Sequence, residues 1–378
     1  MIDLEQFRAG TWAKGPGFRY LIPSKVNTIW VWKDPVLTEL LEKASFQLGE
    51  LNSFARFVPN IDLFIQLHVT KESVVSSRIE GTQTTMDEAL LFKEDVAPER
   101  KSDWQEVKNY TEALNTAIAV LPKLPVSSRL LCQAHKRLMH GVRGDNKQPG
   151  LFRKSQNWIG GSSPADATFI PPPHELVGEM MSDLENFLHN QDIHVSKLIR
   201  AAIAHYQFET IHPFLDGNGR IGRLLITLYL VDQNLLDKPL LYLSSFFEKN
   251  KSHYYDNLTR VREKNDMIHW IKYFLVGVEE TARHATQSLR QMIELKNEIE
   301  YDIQKNWGRR STSGYKLLQH LFKSPVVQIK EVQLTCGLTP KAAGDLVDLF
   351  VEKQILNEVT GRTRSRVFLF QRYLNLFK

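Results

Sequence analysis

A glycine-rich turn at residues 212–223 runs directly into an apolar stretch at residues 224–230, and this junction strongly constrains the local fold. The apolar stretch predicts a buried helix, so the turn lies at the N-terminus of that helix. The first backbone N–H groups of a helix have no intrahelical partner, and the helix dipole adds partial positive charge there. Gly217 and Gly219 permit positive φ and close approach of the backbone to a ligand. The sequence therefore predicts an anion site, and phosphate suits it.

Four side chains of this turn carry groups that act on phosphates. His212 can take a proton from an attacking hydroxyl, and Asp216 can hold Mg²⁺ against phosphate oxygens. Arg220 and Arg223 are three residues apart and share one face of the helix. Together these residues predict phosphoryl or nucleotidyl transfer.

Other phosphate-binding motifs fit the chain poorly. Residues 217–222 match the G-x-G-x-x-G dinucleotide fingerprint, but that fingerprint requires a buried strand before it. The preceding residues 201–210 have a helical pattern instead. The sequence contains no G-x-x-x-x-G-K-[ST] segment, so a P-loop is excluded.

The complete segment resembles the signature of the Fic family, H-x-F-x-[DE]-G-N-G-R-x-x-R. All its defined positions match, and they are His212, Phe214, Asp216, Gly217, Asn218, Gly219, Arg220 and Arg223. The resemblance covers roughly residues 105–285. It implies a mainly α fold: a Fic-type helical bundle with a β-hairpin flap, here expected at residues 156–170.

The resemblance also implies a reaction, the transfer of AMP from ATP to a Ser, Thr or Tyr hydroxyl of a protein target or of the chain itself. His212 would be the general base and Asp216 the Mg²⁺ ligand, and Phe214 would be a core residue. The anion hole and ATP-binding residues would be Gly217, Asn218, Gly219, Arg220, Ile221, Gly222, Arg223, Tyr254 and Tyr255. Tyr254 and Tyr255 resemble an adenine-side pair, and the alternative for both is a place in the core. Some relatives transfer phosphocholine, phosphate or UMP, so the donor stays open.

A second segment resembles the family's inhibitory pattern, [ST]-x-x-x-E-[GN]. Ser76, Glu80 and Gly81 occupy its defined positions, on a helix predicted at about residues 60–80. The resemblance implies that Glu80 forms a bidentate pair with Arg223 and takes the place of the γ-phosphate. The alternative is an ordinary surface glutamate on a helix.

Residues 308–378 differ from the rest of the chain in charge. They contain 12 Lys and Arg against 5 Asp and Glu, whereas the remainder contains 36 against 38. Their order of helix, helix-turn-helix and hairpin predicts a winged helix-turn-helix domain, with Arg362, Arg364 and Arg366 on the wing. DNA is one expected partner, and a solvated or protein-binding basic face is the other interpretation.

The same patterns divide the chain into four parts. We expect an N-terminal helical region with the inhibitory helix (1–104), a catalytic core (105–285), a connecting helix (286–307) and the winged helix (308–378). Two distant cysteines, no evident signal peptide and no apolar run of roughly 18–20 residues favour a cytoplasmic protein. Relatives often dimerise, so a homodimer is a further expectation. The competing functional hypothesis is a DNA-binding regulator whose Fic-like core senses nucleotide.

Overall fold

The computed structural model describes residues 1–58, 61–363 and 365–377, and this part of the chain is mainly helical. The helices are α1 Pro35–Arg56, α2 Ile61–Ile79, α3 Met86–Leu90, α4 Lys101–Val120, α5 Ser128–Leu138, α6 His174–His189, α7 Lys197–Ile211, α8 Asn218–Asp232, α9 Ser244–Lys249, α10 Lys251–Lys264, α11 Met267–Asn306, α12 Ser311–Lys323, α13 Ile329–Cys336, α14 Pro340–Glu352 and α15 Gln371–Leu374.

The strands are short and belong to three small sheets. They are β1 Ile2–Asp3, β2 Gly10–Lys14, β3 Arg19–Pro23, β4 Trp30–Val31, β5 Val326–Gln328, β6 Asn357–Glu358 and β7 Val367–Leu369. Strands β1 and β4 pair in parallel, β2 and β3 form an antiparallel hairpin, and β5, β7 and β6 form an antiparallel sheet in that order.

Helix α7 lies at the centre of the core. All its residues from Leu198 to Ile211 are buried, and it packs against α6, α8 and α11. A helix that is buried on all sides has no polar face toward solvent, so its sequence shows only a weak amphipathic pattern. The turn that follows α7 is therefore attached to a helix that is buried along nearly its whole length.

Helix α11 is continuous over 40 residues. The sequence pattern predicts a break around Gly277, and that prediction is wrong. A Cβ at Gly277 would lie 2.7 Å from Cδ1 of Phe246, so the glycine lets this ring pack directly on the helix backbone. Glycine costs a helix about 1 kcal/mol relative to alanine, and burial of an aromatic ring offsets that cost.

Between Gln156 and Ile170, the pairing is one antiparallel bridge, Ile159 with Phe169, instead of the two short strands expected there. Gly160 and Gly161 both have φ of +70°, and the Asp166 carboxylate accepts the N–H groups of Ser162 and Ser163, so the chain coils instead of extending. This segment packs on the β2–β3 hairpin, which the sequence pattern did not reveal. The Phe169 ring contacts Trp12 edge-on, and the N–H of Leu21 bonds to the carbonyl of Ile170.

The C-terminal part has the order α12, β5, α13, α14, β6, β7. Its helices and the β6–β7 pair come in the expected order of helix, helix-turn-helix and hairpin, whereas β5 was not expected. Arg362 bonds to Asp95 and Arg366 lies 3.7 Å from Asp348, so both pair with carboxylates of the chain itself. Arg364 lies outside the described residues.

The C-terminal end also contacts helix α2 directly. The Phe377 ring lies 5.5 Å from the ring of Phe64 and 4.9 Å from that of His68, measured between centroids. Among the described residues, no helix has the length and apolar character needed to cross a membrane.

We expect Phe377→Ala to lower the free energy of unfolding by about 3–5 kcal/mol, because truncation of a buried phenylalanine leaves a cavity. Phe377 is 3% exposed. The control is Phe57→Ala, at a side chain that is 83% exposed, with an expected change within about 0.5 kcal/mol. Urea denaturation followed by tryptophan fluorescence measures both. Equal effects of the two substitutions would contradict this packing.

Candidate functional site

The predicted anion site lies in the turn between α7 and α8. His212 ends α7 with φ of 51°, and Gly217 precedes α8 with φ of 76°, so both residues are in the left-handed region. Asn218, the first residue of α8, closes the turn: its Oδ1 accepts the N–H of Phe214, and its Nδ2 donates to the Phe214 carbonyl. The Asn218 side chain thus braces the turn, while its backbone N–H belongs to the free first turn of α8.

Phe214 is fully buried, as the sequence predicts, and it stacks on His135 from α5 with 3.9 Å between ring centroids. The Gly150 N–H donates to Nδ1 of His135, so the proton of this ring is on Nε2, which donates to the carbonyl of Asp216. Burial lowers the pKa of His135 to about 4 and keeps the ring neutral. Sequence analysis missed this residue, whose only signal is a buried position on an amphipathic helix.

The His212 backbone is fixed from the expected flap segment. Its carbonyl accepts from Nε of Arg153 at 3.0 Å and from Nδ2 of Asn157 at 3.2 Å. Burial, with the charges of Arg262 and Arg153, lowers the pKa of His212 to about 3. The imidazole is therefore neutral near pH 7, and it is in the form that accepts a proton.

One carboxylate oxygen of Asp216 is hydrogen-bonded within the turn, and the side chain is partly exposed to solvent. Its Oδ1 accepts the N–H of Gly217 at 2.6 Å, and its side chain is 42% exposed. The described residues contain no group of three or more His, Cys, Asp or Glu arranged to hold a metal. Proteins usually bind Mg²⁺ through one or two carboxylates together with substrate phosphates, so a single open carboxylate beside an anion site fits that ion.

Arg220 is engaged in a buried ion pair. Its Nη1 lies 2.9 Å from Oε2 of Glu106 on α4, and the two side chains are 3% and 1% exposed. The guanidinium of Arg220 therefore points to α4, and what this residue offers directly to an anion is its backbone N–H. The sequence pattern did not reveal Glu106, because its partner lies more than a hundred residues away.

Arg223 is bound by helix α2 through three hydrogen bonds. Its Nε donates to Oγ of Ser76, and its Nη2 donates both to the Ser76 carbonyl and to Oε1 of Glu80. The expected contact between Glu80 and Arg223 is thus present at 2.7 Å, but the expected bidentate geometry is wrong. Ser76 occupies the Nε edge of the guanidinium, so only one carboxylate oxygen of Glu80 binds.

Glu80 also lies over the first turn of α8. A Cβ on Gly219 would lie 2.3 Å from Oε1 of Glu80, so only glycine at this position lets the carboxylate approach. Partial burial disfavours the charged form of Glu80, but the neighbouring Arg223 outweighs it and keeps the pKa below its ordinary value. A carboxylate ion therefore lies where the sequence predicts an anion. Gly81 follows α2 with φ of +105°, as expected for a residue that ends the helix.

Helix α2 is anchored a further turn back by Glu72. Its Oε1 accepts from the hydroxyl groups of Tyr110 on α4 and Ser244 on α9. Burial raises the pKa of Glu72 to about 7. Glu72, Ser76 and Glu80 are four residues apart in turn, so one face of α2 makes all these contacts.

The structure separates the two tyrosines of the expected adenine-side pair. Tyr254 is 1% exposed, and its hydroxyl bonds to Nε2 of His205, whereas Tyr255 is 39% exposed. Nδ1 of His205 bonds to the carbonyl of Gly222, so both ring nitrogens of His205 have partners in the core. Tyr254 therefore belongs to the core, and Tyr255 is the member that is open to a ligand.

Two family models match this chain. The model described as "Fic/DOC family N-terminal" matches residues 38–119, and the model described as "Fic/DOC family" matches residues 125–230. The second match contains the whole turn and most of α8, and the first contains all of α2.

Curated relatives are similar over part of their length. A probable protein adenylyltransferase of Aquifex aeolicus is 29% identical over 180 residues, which are 47% of this chain and 52% of the relative. The protein adenylyltransferase Fic of Drosophila erecta is 26% identical over 57% of this chain and 42% of its own. Fic-1 of Caenorhabditis elegans, also named a protein adenylyltransferase, is 27% identical over 43% and 28%. The chain thus spans about half or less of the length of these relatives.

Two solved structures share the fold. A Fic family protein from Desulfovibrio desulfuricans superposes with a TM-score of 0.56 at 19% identity, covering 89% of this chain and 96% of that one. A Fic domain containing signaling protein from Bacteroides thetaiotaomicron superposes with a TM-score of 0.53 at 18% identity, covering 68% and 97%. With every defined position of the signature present, the chain belongs to the Fic/DOC family.

Proposed function

We propose that this protein is a protein adenylyltransferase that moves AMP from ATP to a hydroxyl of a protein target or of itself. The observation that carries the proposal is the carboxylate of Glu80, bonded to Arg223 over the free N-terminus of α8. An anion site at a helix N-terminus suits a phosphate ligand. Because the Glu80 carboxylate occupies that site, the phosphate ligand is excluded in the resting state.

His212 is the proposed general base. The acceptor hydroxyl gives its proton to the neutral imidazole as its oxygen attacks the α-phosphorus, and pyrophosphate leaves with the electrons of the broken P–O bond. The backbone N–H groups of Gly217, Asn218, Gly219 and Arg220 stabilise the charge that develops on the phosphate oxygens. Arg223, once released from Glu80, binds the γ-phosphate.

Asp216 is the residue that would hold Mg²⁺. That ion neutralises phosphate charge and favours departure of pyrophosphate when it is bound. The fixed Oδ1 of Asp216, bonded to Gly217, orients the carboxylate toward the anion site. Tyr255 is the better candidate for the adenine side, because Tyr254 is closed off in the core.

Residues 156–170 are proposed as the flap that aligns the target. Asn157 of this segment, together with Arg153 three residues before it, bonds to the His212 carbonyl, so a peptide bound along the flap would lie beside the base. Its single antiparallel bridge leaves further backbone N–H and C=O groups for pairing with an extended target segment. ATP and a protein with an acceptor hydroxyl are therefore the proposed partners.

Residues 308–378 are proposed as a winged helix that binds protein in preference to DNA. The exposed face of α14, which would be the recognition helix, carries Asp345, Asp348 and Glu352, and carboxylates repel DNA phosphates. Arg362 and Arg366 pair with carboxylates of the chain itself. The alternative, a DNA-binding regulator that only senses nucleotide, has less support for these reasons. The cytoplasmic location, the homodimer and the division into four parts remain predictions.

Release of the inhibitory contact should raise activity. We expect Glu80→Gly to increase AMP transfer about tenfold or more, since a charge-assisted hydrogen bond of about 1.5–3 kcal/mol is lost. In that background, His212→Ala should lower the rate by about 10²–10⁴-fold, as expected for loss of a general base. Labelling with radioactive ATP and Mg²⁺ measures both rates. An unchanged rate in Glu80→Gly would remove autoinhibition from the proposal.

Ser76 offers a finer test of the same contact. Ser76→Ala should raise AMP transfer in the otherwise unchanged chain, but less than Glu80→Gly, because it removes one of the three bonds between α2 and Arg223. The matched control is Ser77→Ala: Ser77 is equally buried, and its Oγ has no hydrogen-bond partner among the described residues. The Ser76 contact has no inhibitory role if the two variants label at the same rate.

The donor is identified by the mass of the product. We expect Glu80→Gly protein incubated with ATP and Mg²⁺ to gain an adenylate on a Ser, Thr or Tyr side chain, detected by mass spectrometry. UTP and CDP-choline are the parallel donors. An adduct formed only from UTP or CDP-choline would support a transferase that uses a donor other than ATP. Binding of ATP without any adduct would support the alternative of a nucleotide sensor.

A further inference from the structure

Glu106 lies between two guanidinium groups. Its Oε2 contacts Nη1 of Arg220 at 2.9 Å, and its Oε1 lies 3.8 Å from Nε of Arg143. Arg220 and Glu106 are almost fully buried, whereas the side chain of Arg143 is 66% exposed. The close, buried contact of Glu106 belongs to Arg220, whose Nη2 also lies 3.8 Å from Oδ1 of Asp216. Arg143 makes only the longer contact with Glu106, and most of its side chain faces solvent.

The turn that carries Arg143 packs against the anion site. A Cβ on the next residue, Gly144, would lie 3.0 Å from Oδ2 of Asp216. From the same turn, the Sδ of Met139 would lie 3.0 Å from a Cβ on Gly217. The backbone before α8 and the turn after α5 are thus in direct contact, with Arg143 at the solvent edge of that contact.

Arg143 makes its contact with Glu106 through Nε. Its two terminal nitrogens have no ion pair or hydrogen bond among the described residues. A guanidinium presents a planar fork of donors, so one edge can face a carboxylate while the other binds phosphate oxygens. A lysine cannot do both with one ammonium group.

We propose that Arg143 is a further phosphate-binding residue, which contacts the phosphates of the nucleotide on the Asp216 side of the site and is oriented by Glu106. The inference rests on the proposed function, because it requires a nucleotide at the N-terminus of α8. Arg223 and Arg143 then contact different parts of the phosphate chain, because Arg223 lies beside Gly219, and the turn of Arg143 packs on Asp216 through Gly144.

The test measures binding in the absence of turnover. The parent is the full chain with Glu80→Gly and His212→Ala, titrated by calorimetry with ATP, inorganic pyrophosphate or adenosine, each with Mg²⁺. Adding Arg143→Ala should weaken binding of ATP and pyrophosphate about tenfold, and should leave adenosine unchanged, because only the first two carry the phosphates. Arg143→Lys should recover part of the loss, since it keeps the charge without the fork.

The matched control is Arg137→Ala. The side chain of Arg137 is 53% exposed and lies 3.5 Å from that of Glu112. The control substitution therefore also removes an exposed guanidinium that is paired with a glutamate. It should leave ATP affinity unchanged. ATP affinity in Arg143→Ala within about twofold of the parent, or an equal loss in Arg137→Ala, would overturn the inference. A parent that binds no ATP would overturn the proposed function itself, and the inference with it.

Discussion

The site depends on a reversal of the chain within five residues, from the end of α7 at His212 to the start of α8 after Gly217. Both ends of the turn have left-handed backbone conformations, and for His212 this costs about 1–2 kcal/mol. Hydrogen bonds from Arg153 and Asn157 to its carbonyl, and the paired bonds between Asn218 and Phe214, offset that cost. The result places an imidazole and the free N–H groups of a helix at one point, against the most buried helix of the molecule.

Helix α2 contacts other parts of the structure at three points along its length. Its C-terminal end binds Arg223, its middle bonds through Glu72 to α4 and α9, and its beginning packs on Phe377. A helix that blocks a site must be stable enough to stay there and must have a route of release. The contact between Phe377 and Phe64 connects the C-terminal segment physically to α2, the helix that directly precedes Glu80 and has the proposed inhibitory role.

Local sequence was informative wherever the chemistry is local. The twelve residues from His212 contain the turn, the helix start and the polar groups, and among these the guanidinium of Arg220 is the one that turns away from the site, to Glu106. The position of α2 agrees closely with the helix predicted at about residues 60–80. The failures have a common origin in contacts between distant segments. The expected break at Gly277 is absent because Phe246 packs there, and the expected strands near Ile159 are reduced to one bridge because Asp166 coils the turn.

The sequence by itself determined that an anion site follows α7 and which residue types surround it, because these follow from a motif whose members are close in the chain. The contact of Glu80 with this site was indicated only by the resemblance of residues 76–81 to the family's inhibitory pattern, since Glu80 and Arg223 are 143 residues apart. Only the tertiary structure decided how the charges are paired. Glu106 binds Arg220, His135 supports the carbonyl of Asp216, and Ser76 shares Arg223 with Glu80. These pairings depend on which helix surfaces pack against each other in the core. The spacing of residues along the chain does not indicate which distant helices do so.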